Sequence, residues 1–336
     1  MRVRGSENPD NVFGFEGDDT IFGLGGNDVI IGGLGADIAD GGAGNDFASG
    51  GFGADTLDRG TGIDYASYFD STEGVNVDLS TGQGFGGTTQ GATAIGVILG
   101  TANDDFLVGN GSPNGFEALD GNDTIKAGGG ADMIDGGGDI DTASYLDSSA
   151  GVSVSLVTGR GSGGTAQGDQ LTSIENLTGS AHNDTLEGNS SDNTLVGFDG
   201  IDTLRGGGGA DTLSGDAGND TLDGGSQHDV LWGGAGADVL TGGAGSDYFY
   251  FHTADSGRFA AGQADAITDF TDGDRIYLQG SYTFAGGGDT TPDAGEYAVF
   301  WNADANGWMV SWNNGGTVHD VVVYGGNPLG DIWFFS

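Results

Sequence analysis

Residues 206–249 read GGGGADTLS GDAGNDTLD GGSQHDVLW GGAGADVLT GGAGSDYF, one nine-residue phrase written five times. The phrase is G-G-x-G-x-D-x-U-x, with U apolar. Asp211, Asp220, Asp229, Asp238 and Asp247 hold its sixth position, and Leu213, Leu222, Leu231, Leu240 and Phe249 hold its eighth. A short fixed period of this kind marks a solenoid, in which each repeat stacks on its neighbours.

The same phase runs outward through most of the chain. A first block places Asp10, Asp19, Asp28, Asp37, Asp46, Asp55 and Asp64 at nine-residue intervals. A second holds Asp105, Asn114, Asp123, Asp132 and Asp141, and a third begins at Asp184, Asn193 and Asp202 before entering the quoted stretch. Of the 20 repeats, 18 carry Asp at the sixth position and all 20 an apolar residue at the eighth, which predicts a buried row. The triplet x-U-x is then a short strand with U inward, and two nonapeptides complete a turn. The expected fold is all-β: a right-handed parallel β-roll, or β-solenoid, in three repeat blocks with a C-terminal β-rich capping module. Its boundaries are 1–67, 100–144 and 179–250 for the blocks, 68–99 and 145–178 for the insertions, and 251–336 for the cap.

The insertions are copies of one another. GVNVDLSTGQGFGGTTQG at 74–91 matches GVSVSLVTGRGSGGTAQG at 151–168. Val75, Val77, Leu79 and Val152, Val154, Leu156 alternate as in a half-buried strand, so these segments are expected to continue the stack, as is the IENLTG run at 174–179. Beyond Phe249 the composition changes. Trp301, Trp308, Trp312 and Trp333 all lie there, in segments rich in strand formers, with ADANG as a hairpin turn between two of them. A solenoid end needs such a cap over its last apolar face and strand edges.

Composition narrows the partners. The 336 residues include 73 glycines, and 50 acidic against 8 basic residues give a net charge of −42. Nucleic acid is excluded as a partner, because its phosphates would be repelled. Cations are favoured. Cysteine is absent, so disulfides cannot staple the chain. No run of 18 apolar residues suggests a transmembrane segment, and the N-terminus lacks the apolar core of a secretory signal.

The repeat itself requires a ligand. Ordering nine residues costs more than one buried aliphatic side chain returns, and stacked aspartates repel. A cation bound between turns resolves both problems. Calcium fits: it takes six to eight carboxylate and carbonyl oxygens in flexible geometry, whereas magnesium demands a strict octahedron. Zinc would find no Cys and only His182, His228, His252 and His319. The candidate ligands are the 18 aspartates named above, with the glycine carbonyls where the phrase is intact. Those glycines are Gly33, Gly35, Gly42, Gly44, Gly51, Gly53, Gly207, Gly209, Gly234, Gly236, Gly243 and Gly245. Loops two repeats apart share an edge, which pairs Asp37 with Asp55 and Asp211 with Asp229.

On these motifs the chain resembles the repeats-in-toxin (RTX, hemolysin-type calcium-binding) family. GGLGAD, GGAGND and GGFGAD at 32–55 and GGAGAD and GGAGSD at 233–247 match its phrase in full. The segment 247–278 is similar to the one that follows the repeats in serralysin-type secreted proteases. The resemblance implies several bound calcium ions and export by the type I secretion apparatus through an uncleaved C-terminal signal. Folding would then occur in extracellular calcium. The ending Asp331-Ile332-Trp333-Phe334-Phe335-Ser336 is similar to that signal's tail. Departures from the phrase at Asn114, Asn193, Asp139, Gln227 and Arg59 predict weak or vacant sites.

No catalytic motif accompanies the repeats. H-E-x-x-H, G-x-S-x-G, a Cys nucleophile and a Walker lysine are all missing, and Lys126 is the only lysine. Residues 302–307, NADANG, resemble the start of an EF-hand loop, but Asn313 stands at its twelfth position and the flanks read as strands. The expected protein is a non-catalytic, secreted calcium-binding roll acting at the cell surface or in the matrix. The alternatives are the repeat and secretion part of an extracellular hydrolase or epimerase, and an adhesin that holds an extracellular polysaccharide or host surface through calcium.

Overall fold

The x-U-x triplets form the strands of the computed structural model. The described residues are 1–53, 55–58, 60–71, 74–78, 83–85, 96–252, 264–279, 283–284, 296–302, 307–314, 317–328 and 331–335. Among them the one helical element is a single 3-10 turn, Gly164–Ala166. The chain divides into two compact units, one of Met1–Tyr145 with Gly159–Asn176, the other of Leu146–Thr158 with Leu177–Ser336.

In the first unit, alternate repeats fall on different sheets. Asn11–Glu16, Val29–Leu34, Phe47–Phe52 and Tyr65–Ser67 pair in parallel, with Val12, Ile30, Ala48 and Ala66 in one register row. Arg2–Arg4, Thr20–Gly25, Ile38–Ala43 and Thr56–Asp58 form the other sheet, with Ile21, Ala39 and Leu57 aligned. Partners lie two repeats apart, as two nonapeptides per turn require. The eighth-position residues are buried throughout the chain, from Val12 to Phe249. Alanine at Ala39, Ala48 and Ala66 is as fully buried as the larger residues of the row.

The insertions add strands to the stack. Asn76–Asp78 pairs in parallel with Phe106–Asn110, burying Val77, and antiparallel with Gln83–Phe85. Leu79 lies outside the described residues. In the second unit Ser153–Ser155 pairs in parallel with Thr185–Glu187 and buries Val154.

Thr203–Gly208, Thr221–Ser226 and Val239–Ala244 then continue one face of the second unit, and Thr212–Ser214, Val230–Trp232 and Tyr248–Phe251 the other. The stack does not stop at Phe249. Asp265–Phe270 adds in parallel to the first face and Arg275–Gln279 to the second, followed by Ile332–Phe335. Glu296–Asn302, Gly307–Asn314 and Thr317–Gly325 form an antiparallel meander whose last strand joins Asp265–Phe270 in parallel. It buries Val310, Trp312, Val321 and Val323 over the final turn. The proposed ADANG turn and EF-hand-like loop fall largely on 303–306, outside the described residues, as does the terminal Ser336.

Candidate metal centre

The repeat aspartates line up at the turns between strands, and all of them but Asp10 are buried. Each column is tied by one recurring hydrogen bond. The backbone N–H of Asp19 donates to Oδ1 of Asp37 at 2.8 Å, and that of Asp37 to Oδ1 of Asp55 at 2.8 Å. The opposite edge repeats it from Asp10 through Asp28 and Asp46 to Asp64. Asp105, Asp123 and Asp141 form a further column, as do Asp184, Asp202, Asp220 and Asp238. Asn193, Asp211, Asp229 and Asp247 form another.

One carboxylate oxygen is thus used, and the other is left over. In most of these aspartates, among them Asp37, Asp55, Asp123, Asp211 and Asp229, Oδ2 is buried and accepts no hydrogen bond. A buried carboxylate oxygen without a donor is costly. Burial pushes the carboxyls of Asp123, Asp132, Asp202 and Asp229 up to about 7, and neighbouring carboxylates add to the rise. Burial likewise lifts Asp55, Asp141, Asp211 and Asp220 to about 6. In each case the bond from the backbone N–H of the preceding turn opposes the shift. These groups are short of positive charge.

The glycines hold the loops close. A side chain at Gly32 would collide with Oδ2 of Asp37 and the carbonyl of Gly50, and one at Gly44 with the carbonyl of Gly26. Carboxylate oxygens and carbonyl oxygens of successive turns therefore share one narrow edge. Among the described residues, no three His, Cys, Asp or Glu side chains converge as a metal group. A cation here would draw its remaining ligands from main-chain carbonyls, a hard-oxygen set that suits calcium. Asp37 and Asp55, and Asp211 and Asp229, are the directly bonded neighbours that the spacing predicted. At the departures from the phrase, Asp139 and Gln227 hold φ of 73° and 87°, the left-handed conformation of the glycine they replace.

Several rungs escaped sequence reading. Asp132 donates its N–H to Asp169, Asp141 to Glu175, Asp238 to Asp265 and Asp247 to Asp274. None follows a glycine phrase. The surviving signal is acid-x-apolar, as in Asp169-Gln170-Leu171 and Asp265-Ala266-Ile267. Asp169 also accepts from the buried Tyr145 hydroxyl at 3.2 Å, and Asp274 from Thr271 N–H at 2.7 Å. A second ladder runs through the fifth position. The side chains of Asn27, Asn45, Asn183 and Asn219 each accept from the N–H of the fifth residue one turn later.

A parallel solenoid with two nonapeptides per turn, its loops burying rows of aspartates beside main-chain carbonyls, defines a calcium-binding β-roll. The family model of the RTX calcium-binding nonapeptide repeat (4 copies) matches residues 2–30, 13–48, 31–66, 116–143, 173–197, 196–231 and 223–252. These segments span half of the chain, and the chain belongs to that family. No curated protein matches it as a whole-sequence relative. Among solved structures it is similar to a subunit of the mannuronan C5-epimerase of Azotobacter vinelandii, at 31% identity over 44% of this chain and 90% of that one, with a TM-score of 0.25. It is also similar to an extracellular lipase of Serratia marcescens, at 16% identity over 99% of this chain, with a TM-score of 0.24. The chain spans 40% of that lipase's length. No helix among the described residues is long and apolar enough to cross a membrane.

Proposed function

We propose that this protein is a secreted, non-catalytic RTX roll that folds on binding several calcium ions outside the cell and acts at the cell surface or in the extracellular matrix. The observation that carries this reading is the row of buried aspartate oxygens without donors. Without a cation the columns are self-repelling and desolvated; with one they become ligands. A ligand that binds only the folded state stabilises it by RT ln(1 + [L]/Kd) per site. Extracellular calcium modules have Kd of about 10⁻⁴–10⁻³ M, so such a chain folds where calcium is millimolar and stays open inside the cell. The expected ligands are the aspartates and glycine carbonyls of the three blocks, and the expected exporter is a type I secretion apparatus reading the acid-plus-apolar tail.

Export tests the reading. In a Gram-negative host carrying a type I exporter, the intact chain is expected in the medium with its C-terminus uncleaved. A chain lacking 329–336 is expected to stay inside the cell. Equal export of both contradicts the assignment of the tail.

A second reading is favoured by the 31% identity to the epimerase subunit: the chain as the repeat part of an extracellular enzyme. Conversion of polymannuronate by the purified, calcium-loaded chain, followed by proton NMR, would establish that reading over the non-catalytic one. Calcium-dependent retention on an acidic polysaccharide without turnover would instead identify an adhesin.

A further inference from the structure

The repeat loops fall into two backbone classes, divided at position two of the phrase. In fifteen of the twenty loops position two has φ between 67° and 115°, and Oδ2 of the sixth residue, as in Asp37 and Asp211, is buried and accepts no hydrogen bond. Glycine supplies it in most, as in Gly33 and Gly207. Where glycine is missing, Phe15, Leu24, Leu119, Phe198 and Asp216 are forced into the same region at φ of 67–86°. In these loops the position-two N–H makes no hydrogen bond to Oδ2 of the loop's own aspartate.

Five loops do otherwise. Position two is Ser6, Thr101, Asn110, Ser180 or Asn189, none with positive φ, and each donates its N–H to the sixth residue of its own loop. Thr101 N–H reaches Oδ2 of Asp105 at 2.7 Å, and Ser180 N–H reaches Oδ2 of Asp184 at 2.5 Å. The Ser6, Thr101 and Ser180 hydroxyls add a second bond to that carboxylate and accept from the N–H at position four. Asn110 and Asn189 accept that same N–H through Oδ1, and there the sixth residue is the uncharged Asn114 or Asn193. Beyond two of these loops, the rung that donates to the carboxylate is Val75 or Val152, which supplies no side-chain oxygen.

We propose that the backbone angle at position two assigns the metal. The loops with positive φ present their aspartate to calcium, whereas the loops ending at Asp10, Asp105, Asn114, Asp184 and Asn193 close on themselves and take no ion through that side chain. This rests on the calcium reading given above. The closed loops open both columns of the second and third blocks and one of the two in the first, where the other begins at Asp19. They give the next, metal-dependent turn a surface already ordered by its own hydrogen bonds.

Ion counting on the full chain tests the assignment, by dialysis against millimolar calcium and atomic emission, with far-UV circular dichroism reporting folding. Ser180→Gly and Thr101→Gly each restore Gly-Gly and remove the hydroxyl, and each is expected to bind one calcium more than the wild type. Gly207→Ser installs the closing residue at Asp211 and is expected to bind one fewer. Two glycine variants enable a decision if one fails to fold. Bound calcium in the wild type with unchanged counts in all folded variants overturns this assignment alone. A wild-type chain that binds no calcium overturns the calcium reading and this assignment with it.

Discussion

Replacing two glycines of the same block separates backbone conformation from backbone proximity. Gly17 and Gly44 both occupy position four of a loop, at φ of 92° and 142°. An added Cβ at Gly17 meets nothing within 4 Å. At Gly44 the same atom would overlap the carbonyl of Gly26. Gly17→Ala therefore carries only the strain of a left-handed alanine, about 1–2 kcal/mol. Gly44→Ala adds the displacement of a rigid main chain, about 1–3 kcal/mol for an overpacked site, so its total is about 2–5 kcal/mol. Urea unfolding in saturating calcium, followed by circular dichroism, reads both on one transition of one block. The expected order is wild type, Gly17→Ala, then Gly44→Ala at the lowest midpoint. Equal midpoints for the two variants would show that the close carbonyl stack is not what demands glycine.

Other residues carry predictions of their own. Leu213 is fully buried, so Leu213→Ala is expected to cost about 2–5 kcal/mol, read as a lower urea midpoint. Val157→Ala, at a side chain 66% exposed, should stay within about 0.5 kcal/mol. Phe15 is 70% exposed with φ of 78°, and Phe15→Gly is expected to raise the midpoint by up to about 1 kcal/mol as the strain is released. The pH dependence has a definite sign. Carboxyls raised to about 6 and 7 in the fold, as at Asp211 and Asp229, bind protons more tightly there than in the open chain, where they titrate near 4. Their contribution to the metal-free fold is full below about pH 4 and is lost as pH rises through 6 to 7. In chelator, acidifying from pH 8 to 5.5 is expected to increase the strand signal in circular dichroism; a decrease contradicts the burial.

Much of this was legible because two signals coincide. Glycine at fixed spacing names the loop, and the eighth-position residue names the face, so Leu195 and Ile125 could be placed inside the roll from sequence alone. The rungs at Asp169, Glu175, Asp265 and Asp274 were not legible, since the turns before them reach the same register without the glycine phrase. Only acid-x-apolar remains there, and it is common in an acidic chain. The two backbone classes were hidden for another reason. Leu24 and Phe198 adopt an angle disfavoured for their type while bonding to the next turn, Leu24 opposite Gly42 and the Phe198 carbonyl accepting from Ala217 N–H, a tertiary effect that no local rule contains. Ser180 could have suggested the opposite, as a small hydroxyl residue four before an aspartate.

The central claim is that calcium completes the buried aspartate columns and that the roll exists because of it. The direct measurement is far-UV circular dichroism of the full chain, moved from chelator into calcium and, separately, into equal magnesium, with bound ions counted at each step. A largely unstructured chain in chelator is predicted to gain strand signal steeply with calcium, several ions binding together, and to gain far less with magnesium. A spectrum that stays the same from chelator to millimolar calcium, or a full strand signal with no ion bound, would contradict it.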